Sequence, residues 1–141
     1  MNPEIKQLWL DALRSGKYQQ GKSLLRPTEN NYCCLGVLCK IAEEQEICKY
    51  IPSDEHEGFT IPFEDKENYI GYLYEDSELP WIVRQWAELD SENPKVTLNE
   101  RNIKEYFKGT MQDNTTVSLA ELNDNYCYSF EEIADIIEEQ L

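Results

Sequence analysis

Asn2-Pro3-Glu4-Ile5-Lys6-Gln7-Leu8-Trp9-Leu10-Asp11-Ala12-Leu13-Arg14-Ser15-Gly16 reads as one helix with both ends marked. Asn2 suits the cap, where its side chain can accept from unpaired backbone N–H groups. Pro3 suits the first helical position, because its missing N–H would have no partner there. Ile5, Leu8, Trp9, Ala12 and Leu13 share the helical repeat and predict one apolar stripe facing a core. Gly16 is a natural stop.

Outward from this helix, Arg14 to Arg26 reads as a loop leading into a short strand, and Asn30-Asn31 marks a turn. Tyr32-Cys33-Cys34-Leu35-Gly36-Val37-Leu38-Cys39-Lys40-Ile41-Ala42 follows. Cys34, Val37, Leu38 and Ile41 fall on one helical face, which predicts a buried second helix, with a strand start as the alternative for so short an apolar run. Phe59-Thr60-Ile61 and Tyr69-Ile70-Gly71-Tyr72-Leu73-Tyr74 predict a hairpin with a long loop. A third helix is expected from Pro80 to Leu89, with Leu79, Ile82, Val83 and Trp86 on its apolar side. Ile103, Tyr106 and Phe107 fit a helix stopped at Gly109, and residues 110–116 fit a polar loop. Ser118-Leu119-Ala120-Glu121 and Ser129-Phe130-Glu131-Glu132 are capping boxes, in which Ser and Glu satisfy each other's free backbone donors. Tyr128 and Ile133 are placed for a hydrophobic staple. Phe130, Ile133, Ala134, Ile137 and Leu141 then run down one face. The expected architecture is α+β, a mostly helical single domain over residues 1–141 with a small antiparallel sheet.

The 141 residues suit one domain, and 40% hydrophobic content with three Trp, nine Tyr and four Phe supplies a core. The formal charge is −15. Phosphate backbones are bound through Lys and Arg, so this balance argues against nucleic acid and against anionic membranes. Acidity serves solubility, or it offers a phosphate-like surface to a nucleic-acid-binding protein. No basic segment followed by an apolar run opens the chain, and no stretch reaches the length of a membrane helix. Five cysteines, an odd number without an export signal, fit reduced thiols in a cytosol.

Catalytic and metal chemistry find little footing. A thiol nucleophile at Cys33 or Cys34 would need a base, and the one histidine, His56, lies in a distant acidic segment. Cysteine spacing matches no zinc pattern, and Asp54-Glu55-His56-Glu57 and Glu64-Asp65 match no EF-hand. The expectation is therefore no catalytic residue, no metal and no cofactor. Leu119 to Asp124 followed by Ser129 to Ala134 has the look of a helix-turn-helix. Its second helix carries Glu131, Glu132, Asp135, Glu138 and Glu139 and no cation, so phosphates would repel it.

Charge is segregated. Residues 1–26 hold five cations against two acids, a net +3, which leaves −18 for the remainder. Arg14, Lys17, Lys22 and Arg26 lie within one stretch that has no acid, and Tyr18 adds a ring for stacking. Arg forks and bent backbone suit a phosphate or carboxylate. The competing reading is a basic face paired internally with the acidic majority.

Leu8-Trp9 through Ala12-Leu13-Arg14-Ser15-Gly16-Lys17-Tyr18-Gln19-Gln20-Gly21, with Cys33-Cys34-Leu35-Gly36-Val37-Leu38-Cys39, resembles the front of a family of small uncharacterised bacteriophage and prophage proteins. Leu119-Ala120-Glu121-Leu122-Asn123-Asp124 and Ser129-Phe130-Glu131-Glu132-Ile133-Ala134-Asp135-Ile136-Ile137-Glu138 resemble its end. The resemblance implies work in the cytoplasm of a bacterial host cell. Small accessory phage proteins bind host components, including immune proteins and nucleotide signals, which is an association with the family and not a consequence of the residues.

The expected function is a non-enzymatic binding protein, of a counter-defence kind, that captures a small anionic, nucleotide-like ligand. Arg14, Lys17, Lys22 and Arg26 would supply charge, with Tyr18 or a Trp stacking on a base. One alternative partner is a host nucleic-acid-binding protein, inhibited by an acidic surface. A second alternative is a cysteine-dependent enzyme. A homo-oligomer with ligand pockets between subunits is compatible with the many aromatics.

Overall fold

The computed structural model describes residues 1–52, 58–60, 76–108 and 115–141. The first helix, α1, spans Pro3–Arg14. The Asn2 side chain accepts from the N–H groups of Glu4 and Ile5, at 3.0 and 3.3 Å. Gly16 takes a φ of +70°, the left-handed turn that leaves a helix. The buried face is rotated from the expected stripe: Leu10 is 2% exposed and Leu8 is 44% exposed. The reason is that α1 packs against two neighbours, α5 and α2, and not against a single layer.

The second helix, α2, spans Cys34–Glu44 and is the centre of the molecule. Every residue from Cys34 to Cys39 is buried, so the apolar face predicted from periodicity extends right round the first turns. Trp9 Nε1 donates to the Cys34 carbonyl at 2.9 Å, which locks α1 onto the start of α2. Gly36 lets the chain approach there, since a Cβ at that position would stand 1.7 Å from the Leu25 carbonyl oxygen.

The described sheet structure is three short ladders. β1 (Gln19–Gln20) runs parallel to β2 (Asn31–Tyr32). β3 (Lys49–Ile51) is antiparallel to β4 (Gly58–Thr60), pairing Tyr50 with Phe59. β5 (Lys95–Thr97) is antiparallel to β6 (Thr116–Ser118), pairing Val96 with Val117. The strand expected at Phe59 is present, and its described partner is Lys49–Ile51; the partner expected at residues 69–74 lies outside the described residues. The helix fitted to Ile103, Tyr106 and Phe107 is a single 3₁₀ turn, Glu105–Phe107, and it follows the strand β5. β6 takes up the end of the expected polar loop.

The remaining helices close the core. α3 spans Trp81–Trp86, and its end accepts the Asn2 N–H at the Ala87 carbonyl. α4 spans Leu119–Asp124 and α5 spans Phe130–Gln140, and both capping boxes form. Gln140 trades two hydrogen bonds with the Thr97 backbone, at 2.7 and 2.8 Å, and ties the end of α5 to β5. The result is α+β, and all five described α-helices contribute to one apolar cluster. No helix among the described residues is long and apolar enough to cross a membrane.

Candidate anion site

The basic stretch is held to the core by polar anchors. Asn123 is fully buried. Its Oδ1 accepts from the Cys34 N–H and from Gln20 Nε2, and its Nδ2 donates to the Gly21 carbonyl at 2.8 Å. Gln20 Nε2 also donates to the Tyr128 carbonyl at 2.7 Å. The Ser23 N–H donates to Asp124 Oδ2. Leu25 is buried, its carbonyl accepting from the Cys33 N–H and its N–H donating to the Asp76 carbonyl at 2.5 Å. Arg26 therefore leaves a fixed backbone.

From that point cations and rings form a line. The Arg26 guanidinium carbon lies 4.2 Å from the Tyr50 ring centre and 5.6 Å from that of Tyr32. Tyr32 meets Tyr18 edge to face at 5.5 Å, and the Lys17 ammonium sits 5.1 Å from the Tyr18 ring centre. At the other end Tyr50 packs on Phe59 at 5.1 Å. Tyr32 and Phe59 are buried, Tyr18, Arg26 and Tyr50 are half-buried, and Lys17 is exposed. Three of the five residues read from the sequence, Lys17, Tyr18 and Arg26, thus share one line. A cavity of about 50 Å³ opens beside it, lined by Leu24, Leu25, Arg26, Tyr50, Phe59 and Asp76 among others.

The other two stand apart. Arg14 binds Asp135 at 2.7 Å and Glu138 at 2.6 Å on α5. Those two carboxylates, Glu138 first, hold its guanidinium above its ordinary pKa. Lys22 Nζ lies 3.6 Å from Cys127 Sγ. Lys17 also reaches Glu44, at 3.6 Å. Arg26 differs from Arg14: Nε and Nη2 both donate to the Glu29 carbonyl, and no carboxylate among the described residues pairs with it. Internal pairing therefore describes Arg14 fully and Arg26 not at all.

Tyr32, Tyr50, Phe59 and Asp76 were not singled out from the sequence. Tyr50 and Phe59 are joined by the β3–β4 register, Tyr32 comes from β2, and Asp76 arrives through the Leu25 bond, none of which local spacing announces.

A larger cavity, about 330 Å³, lies between residues 101–104 and α5. Its cations are already neutralised: Arg101 meets Glu139 and Lys104 meets Glu132, each at 2.8 Å. It offers no unpaired cation to an anion.

The thiols near the centre are poor nucleophiles. Burial pushes Cys33 up to about 11 and Cys48 up to about 12, and raises Cys34 and Cys39 well above the usual range. His56 lies outside the described residues. No group of three or more His, Cys, Asp or Glu among the described residues could hold a metal ion.

Comparison with known proteins adds a family and no named relative. No curated protein and no solved structure matches the chain. One family model, described as domain of unknown function (DUF8296), matches residues 1–141. Its match runs the full length, so the chain belongs to the DUF8296 family.

Proposed function

We propose that this chain is a non-enzymatic binding protein that captures a small anionic, nucleotide-like ligand on the Lys17–Tyr18–Arg26–Tyr50 face. The observation that carries the reading is Arg26. Its guanidinium carbon lies over the Tyr50 ring, 4.2 Å from the centre, is not paired with a carboxylate among the described residues, and keeps Nη1 without a protein acceptor there. A stacked guanidinium holds a fixed fork toward a phosphate, and neighbouring rings give a base a face to lie on. The raised thiols favour binding over cysteine catalysis. The sequence resemblance adds the setting, a phage protein with a counter-defence role in the cytoplasm of a bacterial host.

The acidic-inhibitor alternative has less behind it. On α5, the acidic helix, Asp135, Glu138, Glu139 and Glu132 already answer to Arg14, Arg101 and Lys104.

Calorimetry with mono-, di- and cyclic nucleotides tests the proposal. Wild type should bind at least one of them. Arg26→Ala should weaken that binding by roughly 10- to 150-fold, the worth of one charge-assisted hydrogen bond. No binding by wild type, or binding indifferent to Arg26→Ala, would remove the reading.

A further inference from the structure

We infer that Asp76 selects the ligand held by Arg26, by accepting hydrogen bonds from donors the ligand carries close to its anionic group. The ligand class is then a phosphate monoester with hydroxyl or amino donors, as in a ribonucleotide. This inference rests on the anion reading of the same site.

The Leu25 N–H bond to the Asp76 carbonyl places Asp76 beside the residue that precedes Arg26. Both Arg26 and Asp76 line the small cavity whose other walls include Leu25, Tyr50 and Phe59. The two opposite charges do not pair with each other, and the Asp76 carboxylate has no ion-pair partner among the described residues. Arg26 instead lies over Tyr50 and donates to Glu29. Asp76 is exposed, and a cation and an acidic residue that line one small space without pairing suit a ligand with both an anion and donors. A bare anion would gain from Arg26 and lose to Asp76, because an ionised carboxylate only accepts.

Size narrows the class. A space of about 50 Å³ holds one or two water-sized groups and not a nucleobase. The part that enters is therefore a hydroxyl or an amino group. The phosphate stays at the outer edge of Arg26, and any ring lies along Tyr18 and Tyr50.

The test compares adenosine monophosphate with phenyl phosphate, which keeps a phosphate and a ring but has no donor. Calorimetry on the full chain should show wild type favouring the nucleotide by about 10-fold or more. Asp76→Ala should bring that ratio toward one and leave phenyl phosphate as tight or tighter. Asp76→Asn, which keeps the size of the side chain, should lower the ratio less. The backbone carbonyl of Asp76, not its carboxylate, makes the contact with Leu25, so both variants keep that anchor. A ratio unmoved by Asp76→Ala, or a wild type that does not discriminate, overturns the inference. If both ligands bind, both are lost in Arg26→Ala and the ratio ignores Asp76, the anion site stands and the role of Asp76 falls. If neither ligand binds wild type, both fall.

Discussion

At Gly36 a Cβ would stand 1.7 Å from the Leu25 carbonyl oxygen and 2.6 Å from its carbon. Both are backbone atoms, and Leu25 is pinned from two sides by Cys33 and Asp76. Nothing there yields as a flexible side chain would. Gly36→Ala should therefore cost about 3 kcal/mol or more, at or above the upper end of ordinary overpacking. Denaturant melts of the variant check this; a loss below about 1 kcal/mol would mean that Leu25 can move. The thiols give a second outcome at this scale. Cys33 rises from 9.0 to about 11 through burial. Above the unfolded value the unfolded chain releases protons that the folded chain keeps. Stability should thus be intact below about pH 9 and fall as pH rises toward 11, by about 2–3 kcal/mol for Cys33 alone. Thermal melts across that range should show the fall, with a shallower slope in Cys33→Ala. An aromatic thiol reagent at neutral pH should label Cys127 quickly and the four buried cysteines only after denaturation.

Among the elements, α5 organises charge as well as packing. Its inner face is buried at Phe130, Ile133, Ala134, Ile136 and Ile137, while its outer carboxylates receive Arg14, Arg101 and Lys104. Ser129→Ala removes the cap and should cost about 1 kcal/mol in a denaturant titration. Arg14→Ala should cost about 1 kcal/mol or less, because its partners are exposed, and should leave nucleotide binding unchanged. That second half separates Arg14 from Arg26 in the same calorimetry; equal losses in both variants would mean one site spans both. The helix ends were legible from sequence because caps and boxes are local: Asn2, Ser118 and Ser129 each act within three residues. Apart from the strand at Phe59, the pairing of the two- and three-residue strands was not, since so short a ladder shows no period. The exposed Leu8 was misplaced for a different reason. Periodicity gives a stripe but not the number of neighbours, and α1 has two.

For the whole molecule, charge segregation was legible but its geometry was not. Composition placed four cations in one stretch, and the fold sent Arg14 to α5 while Arg26 joined rings from Tyr32 and Tyr50. Those rings come from separate strands, so only tertiary packing joins them. The same view settles what to expect with nucleic acid. The total charge is −15, and the α4–α5 pair that resembles a DNA-reading motif turns Glu131, Asp135, Glu138 and Glu139 outward. Arg14 and Arg101 reach this face already engaged by its carboxylates, so they have little to give a phosphate. Affinity for a duplex grows with the number of phosphates neutralised, and among the described residues the face built on α5 does not supply free cations for several. On the Arg26 line, Arg26 has no carboxylate among the described residues and Lys17 already reaches Glu44, which is little to offer a backbone that brings a charge about every 1.7 Å along its axis. Fluorescence anisotropy with a labelled duplex at physiological salt should therefore show no binding, while a mononucleotide still binds at the Arg26 site. Micromolar or tighter duplex affinity that weakens with added salt would show that the surface field is not governed by these carboxylates.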